Sequence, residues 1–230
     1  MASAILFNLI VVATPREQVW AFLMYALLLG MVAALAFVPL NFVARRVVLE
    51  TPLVLFALLL PFVAGGRELD VAGIALSRDG LWAAWNIIAK ATLGLVASIL
   101  LAATTPVAGI LHGLSRLRAP RLVVAIAHFM VRYGDVITGE MRRMKIARES
   151  RGYDARWLWQ ARALASSIGT LFLRSYERGE RVYLCMIARG YSGSLPEIDK
   201  LDAPAAHWIA SGILPLAAAA VAAGAWVVAA

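Results

Sequence analysis

Long apolar runs constrain this chain more than any other feature. Trp20–Val38, Thr51–Gly66 (extended back through Val47), Leu81–Thr105 and His207–Val228 are each nearly free of charge. Roughly 20 apolar residues, at about 1.5 Å each, cross a hydrocarbon core of about 30 Å. A soluble domain of 230 residues has no interior for four such helices. Composition agrees: 62% of the residues are hydrophobic and 16% charged, and mean hydropathy is +0.77. Soluble domains lie nearer half and a quarter. The expected class is therefore an all-α polytopic membrane protein. Ala2–Ala13 is apolar too, but about 18 Å long, a partial or short first helix. That makes about five membrane helices. Met1–Thr14 has no basic start and no clear cleavage site, so it does not read as a signal peptide.

Charge then orders the topology. Between Pro106 and Ala206 lie sixteen of the 22 Lys and Arg, against nine acids. Cationic segments stay in the cytoplasm, so the net charge of +8 reads as topology rather than nucleic-acid binding. Arg45-Arg46 falls on the same side, and the loop Arg67–Gly80 on the other. The expected organisation is a transmembrane bundle over 1–105, a cytoplasmic region over 106–205, and a last membrane helix over 206–230. Glu50 is expected at the membrane interface, and Lys90 is expected to snorkel or to pair with a neighbour.

The cytoplasmic region reads as two long amphipathic arms, Arg121–Arg151 and Arg156–Arg189, with a shorter helix, Val107–Leu117, before them. Each arm ends on the same word. The first closes on Ser150-Arg151-Gly152-Tyr153, the second on Ala188-Arg189-Gly190-Tyr191. Gly stops a helix, and an Arg in its last turn favours the dipole, so one copy needs no partner. Two copies on consecutive arms suggest two prongs: guanidinium forks, with Gly beside them allowing close approach. Trp157 and Trp159 read as membrane-interface anchors or as contacts under the arms. Asp135, Glu140, Glu149, Glu177 and Glu180 either tie the arms together or make local i,i+4 pairs such as Glu177–Arg181.

Little points to chemistry. Cys185 is the one cysteine and reads as a small buried hydrophobe, which excludes an intrachain disulfide and a thiolate metal site. His112, His128 and His207 lie far apart, so no metal site and no cofactor are expected. No phosphate loop, nucleophile elbow or zinc-protease motif is present. The chain is expected to be no enzyme. A second reading keeps a membrane enzyme or scaffold that binds anionic lipid head groups through its arginines.

The two signatures, with "LSRDGLWAAWNIIAKATLGLVASILLAATTP" (76–106), "FMVRYGDVITGEMRRMKIARESRG" (129–152) and "RSYERGERVYLCMIARGY" (174–191), resemble the transmembrane T components of energy-coupling factor (ECF) transporters, most of all the cobalt type, the CbiQ family. That family carries two Ala-Arg-Gly signatures; here the first has Ser150 in place of Ala. The likeness runs over roughly Pro39–Gly193, and Ala2–Ala13 is shorter than the family's first helix. The resemblance implies two crossed coupling helices docked on two cytoplasmic ABC ATPases, one signature Arg entering a groove on each. It assigns Ser150, Arg151, Gly152, Ala188, Arg189 and Gly190 to that contact. It also implies a membrane substrate-binding subunit of cobalt type, room for a small accessory membrane subunit, and residence in a bacterial cytoplasmic membrane. ATP hydrolysis would belong to the partners.

Overall fold

The computed structural model of the chain describes residues 1–63, 68–71, 74–153, 161–193 and 205–229. Among them the elements run α1 (Ala2–Ala13), α2 (Val19–Leu35), α3 (Leu40–Val47), α4 (Thr51–Val63), β1 (Glu68–Val71), β2 (Ile74–Ser77), α5 (Arg78–Thr104), α6 (Val107–Arg116), α7 (Arg121–Glu149), α8 (Ala161–Ala188) and α9 (Ala205–Ala229). The chain divides into two compact units, Met1–Pro106 with Leu201–Ala230, and Val107–Lys200. Gly65-Gly66, Trp157, Trp159 and the expected start of the second arm at Arg156 lie outside the described residues.

The chain is an all-α polytopic membrane protein with one small hairpin added. Four helical runs are long and apolar enough to cross a membrane: Asn41–Val63, Arg78–Thr104, Arg121–Glu149 and Trp208–Val228. The first is continuous because a 3-10 turn, Val48–Glu50, joins α3 to α4. The run therefore begins at Asn41 rather than Val47. Conversely, α2 stops at Leu35, short of Val38. Phe37 takes φ 52°, and the amides of Phe37 and Val38 bond back to Ala34 and Ala33, before Pro39 blocks any continuation. The run containing α7 was expected outside the membrane. Its first part, Leu122–Gly139, holds two charges, Arg132 and Asp135, but Glu140–Glu149 holds six. Six charges in ten residues are costly to place in hydrocarbon.

The first unit packs around α5. α1 lies along α9 and α5, and α2 along α5 and α9. Small residues let the backbones approach, as membrane interfaces require: Ala21, Ala33, Ala97, Ala218 and Ala225 are buried in one cluster with Phe7, Phe22, Tyr25 and Leu93. Tyr25 is fully buried. Its hydroxyl meets that of Thr14 at 2.9 Å and reaches the Ala218 carbonyl at 3.5 Å, so one hydroxyl ties α2 to α9 and to the end of α1. Phe7 and Phe22 stand edge-on to the Tyr25 ring. The opposite faces stay apolar and exposed, as on α2 at Leu23, Leu27, Met31 and Leu35. Apolar surface on all sides is what a lipid-facing helix presents.

Two charges lie within the apolar helices, Glu50 and Lys90. Glu50 is buried within the protein; the Thr92 hydroxyl of α5 lies 3.1 Å from each of its carboxylate oxygens. Lys90 does pair with a neighbour: its ammonium donates to the Val12 carbonyl at 2.7 Å. Val12 is in the last turn of α1, whose carbonyls have no intrahelical partner. Lys90 thus caps a helix that ends against α5.

The loop 67–80 holds an antiparallel pair, with Glu68 opposite Ser77 and Val71 opposite Ile74. The alternation Glu68-Leu69-Asp70-Val71 is a period-two signal that a reading focused on charge passes over. Ser77 then caps α5 by accepting from the Gly80 amide.

Candidate functional site

Both Arg-Gly-Tyr words form the same backbone device. At the end of α7, Gly152 takes φ 73°; its amide bonds to the Glu149 carbonyl at 3.0 Å, and the Tyr153 amide to Arg148 at 3.1 Å. At the end of α8, Gly190 takes φ 83°; its amide bonds to Ile187 at 2.9 Å, and the Tyr191 amide to Met186 at 3.0 Å. These paired bonds, spanning three and five residues, are Schellman motifs. The motif explains each letter. Gly supplies the left-handed conformation that a side chain resists. The following residue packs back on the last turn, and Tyr191 does so beside Met186 in one cavity wall.

The Arg preceding each Gly is not explained by the cap. Arg151 and Arg189 are exposed, as are Ser150 and Ala188, and neither guanidinium is paired among the described residues. Gly152 and Gly190 are exposed with open space where a Cβ would sit. The six expected site residues therefore form two similar exposed helix ends.

These ends are not adjacent. Arg148 reaches Ser167 at 3.4 Å, and Arg174 reaches Glu140 at 2.9 Å, so α7 and α8 run antiparallel. Their C-termini point in opposite directions. At about 1.5 Å per residue the offset separates Arg151 from Arg189 by about 35 Å.

Glu140 is the tie between the arms. Its side chain is 16% exposed and takes Arg143 from its own helix at 2.9 Å, Arg174 from α8 at 2.9 Å and Arg178 at 4.0 Å. Hydrogen bonds from Arg143, then Arg174, hold its carboxyl below the usual carboxylate range. Two of the other acids pair locally: Glu177 with Arg181 at 3.9 Å and Glu149 with Lys145 at 3.7 Å. Cys185 is exposed rather than buried. His128 bonds the Val124 carbonyl of its own helix. No three His, Cys, Asp or Glu gather among the described residues.

The sequence matches the family CbiQ, cobalt transport protein, over residues 1–199. The chain belongs to the CbiQ family. The match includes the short α1, so the brevity of that helix does not set this chain apart. A cobalt transport protein CbiQ of Rhodobacter capsulatus is 32% identical over 84% of this chain and 80% of its own. An uncharacterized protein of Methanocaldococcus jannaschii is 27% identical over 68% of this chain, which spans 59% of that relative's length. A protein of Methanocorpusculum labreanum, described as a fused cobalt transport protein CbiMQ, is 25% identical over 82% of this chain and 37% of its own. The chain thus spans about three-fifths or less of two of these relatives.

Proposed function

We propose that this chain is the non-catalytic coupling subunit of an ECF-type importer, most simply one for cobalt or nickel ions. Two cytoplasmic ATPases dock on α7 and α8, and their ATP-driven closure moves those helices. The movement passes to a membrane substrate-binding subunit held against them. Membership of a cobalt transport family supports the transport role, and a relative described as a fusion with a second transport component supports a partner in the membrane.

The observation that carries the reading is the pair of identical caps at opposite ends of an antiparallel helix pair. Each presents one unpaired, exposed arginine beside an open glycine. An ATPase dimer offers two equivalent grooves, and two equivalent prongs some 35 Å apart suit it better than one cluster would. A guanidinium that enters a groove against a carboxylate or carbonyls is held by two donors at once.

The test is the double variant Arg151→Ala/Arg189→Ala, made in the assembled transporter. Insertion in the membrane should be normal, while ATPase copurification and radioactive cobalt uptake are lost. Wild-type uptake by the double variant would overturn the reading.

A further inference from the structure

The two arms enclose a cavity of about 390 Å³, and docking at Arg151 and Arg189 leaves it unexplained. Neither arginine lines it. Phe129, Tyr133 and Ile137 of α7 face Val182 and Tyr183 of α8 across it, with Gly179 in its wall. That volume and lining lie in the range of ligand sites: mostly apolar and aromatic, with few polar groups. The charged lining residue is Arg178.

Arg178 is also the loosest partner of Glu140. Three guanidiniums, from Arg143, Arg174 and Arg178, converge on that one carboxylate, the first two at 2.9 Å and Arg178 at 4.0 Å. The cluster carries a surplus of two positive charges, and the donor left over is the one at the mouth of an apolar cavity. An occupant must therefore join an apolar chain to an anionic head. The α7 face that lines the cavity belongs to Leu122–Gly139, the part of that helix apolar enough to reach the lipid. We infer that the α7–α8 cavity binds one acyl chain of an anionic phospholipid, with the lipid phosphate on Arg178.

An acidic peptide would satisfy the arginine but not the aromatic walls, and an apolar protein helix would leave the surplus charge unmet. A lipid meets both. The bound chain would lie against Tyr191, the residue that closes the second helix end, so occupancy would stiffen that end without touching Arg189.

The experiment uses the full-length chain, purified in mild detergent with either phosphatidylglycerol or phosphatidylcholine, and counts retained lipid by native mass spectrometry. Phosphatidylglycerol should be retained at least tenfold more than phosphatidylcholine. Arg178→Ala should erase that preference. Gly179→Leu should remove retention of both lipids, because the new side chain occupies the cavity; a Cβ at Gly179 meets nothing within 4 Å, and retained ATPase copurification reports that the variant is folded. Equal retention of the two lipids by the wild-type chain would overturn the inference. So would unchanged retention in Gly179→Leu, or displacement of phosphatidylglycerol by a soluble poly-glutamate peptide. The inference does not rest on ATPase docking: Arg178→Ala and Gly179→Leu should still copurify ATPase, and Arg151→Ala should still retain lipid.

Discussion

A left-handed residue at a helix end is where Gly and non-Gly differ most, and this chain contains both kinds. Gly152 and Gly190 hold φ 73° and 83°, while Arg118 holds φ 61° in the same kind of cap after α6. An L side chain there costs about 1–2 kcal/mol. Gly190→Ala should therefore lower stability by about 1 kcal/mol and fray the end of α8, whereas Arg118→Gly should raise stability by a few tenths to about 1 kcal/mol. Thermal unfolding in detergent reads both, and equal signs would contradict the cap assignment. Arg151→Lys separates cap from prong: it keeps the charge and the backbone, but loses the planar fork. Unfolding should stay unchanged while ATPase recruitment falls. Sequence alone showed that Gly stops each arm. It left Tyr153 and Tyr191 without a role, because the packing of a residue after a cap depends on which helix face lies behind it. The spacing of Gly followed at once by an aromatic residue was a usable signal for the motif.

Between elements, close approaches decide what can change. A Cβ on Gly80 would stand 2.7 Å from the Leu60 carbonyl oxygen and 2.8 Å from the Pro61 Cα. Backbone cannot yield there, so Gly80→Ala should push α5 from α4 and cost about 1–3 kcal/mol. Gly134→Ala, in open space, should be neutral or slightly stabilising; denaturation of the two in parallel is the control. The α7–α8 tie responds to pH. The Glu140 carboxyl lies below its usual range when folded, so the tie is complete above the unfolded carboxylate value and is lost as pH falls through the lower, folded value. The protection of α8 amides, their exchange corrected for the intrinsic rate at each pH, should therefore be flat from pH 8 to 5 and fall only in more acidic solution. Most helices were legible from apolar period and length. What escaped were partners on other elements: nothing near Glu50 in the sequence names Thr92, and nothing near Lys90 names Val12. The hairpin Glu68–Ser77 escaped for a different reason, since its four-residue strands are too short to stand out beside helices.

At the scale of the whole molecule, the antiparallel run of α7 and α8 turns a repeated word into a two-pronged ruler. Spin labels at Ser150→Cys and Ala188→Cys, with the exposed Cys185→Ser to clear the background, should report a separation centred near 35 Å; one below about 20 Å would mean that the prongs sit together. The separation has an energetic consequence. Once one prong holds an ATPase dimer, the second binds from a high effective concentration, so the pair exceeds either contact by about 10²–10⁴-fold. Removing one arginine should therefore not halve recruitment. Arg151→Ala alone and Arg189→Ala alone should each weaken binding by about 10²-fold, leaving one monovalent contact, and the double variant should lose that contact as well. Titration of detergent-solubilised chain with its ATPase dimer measures this directly. Single-variant losses of less than about tenfold would mean that the prongs gain nothing from being linked, and the two arms would then not be reading one two-fold partner.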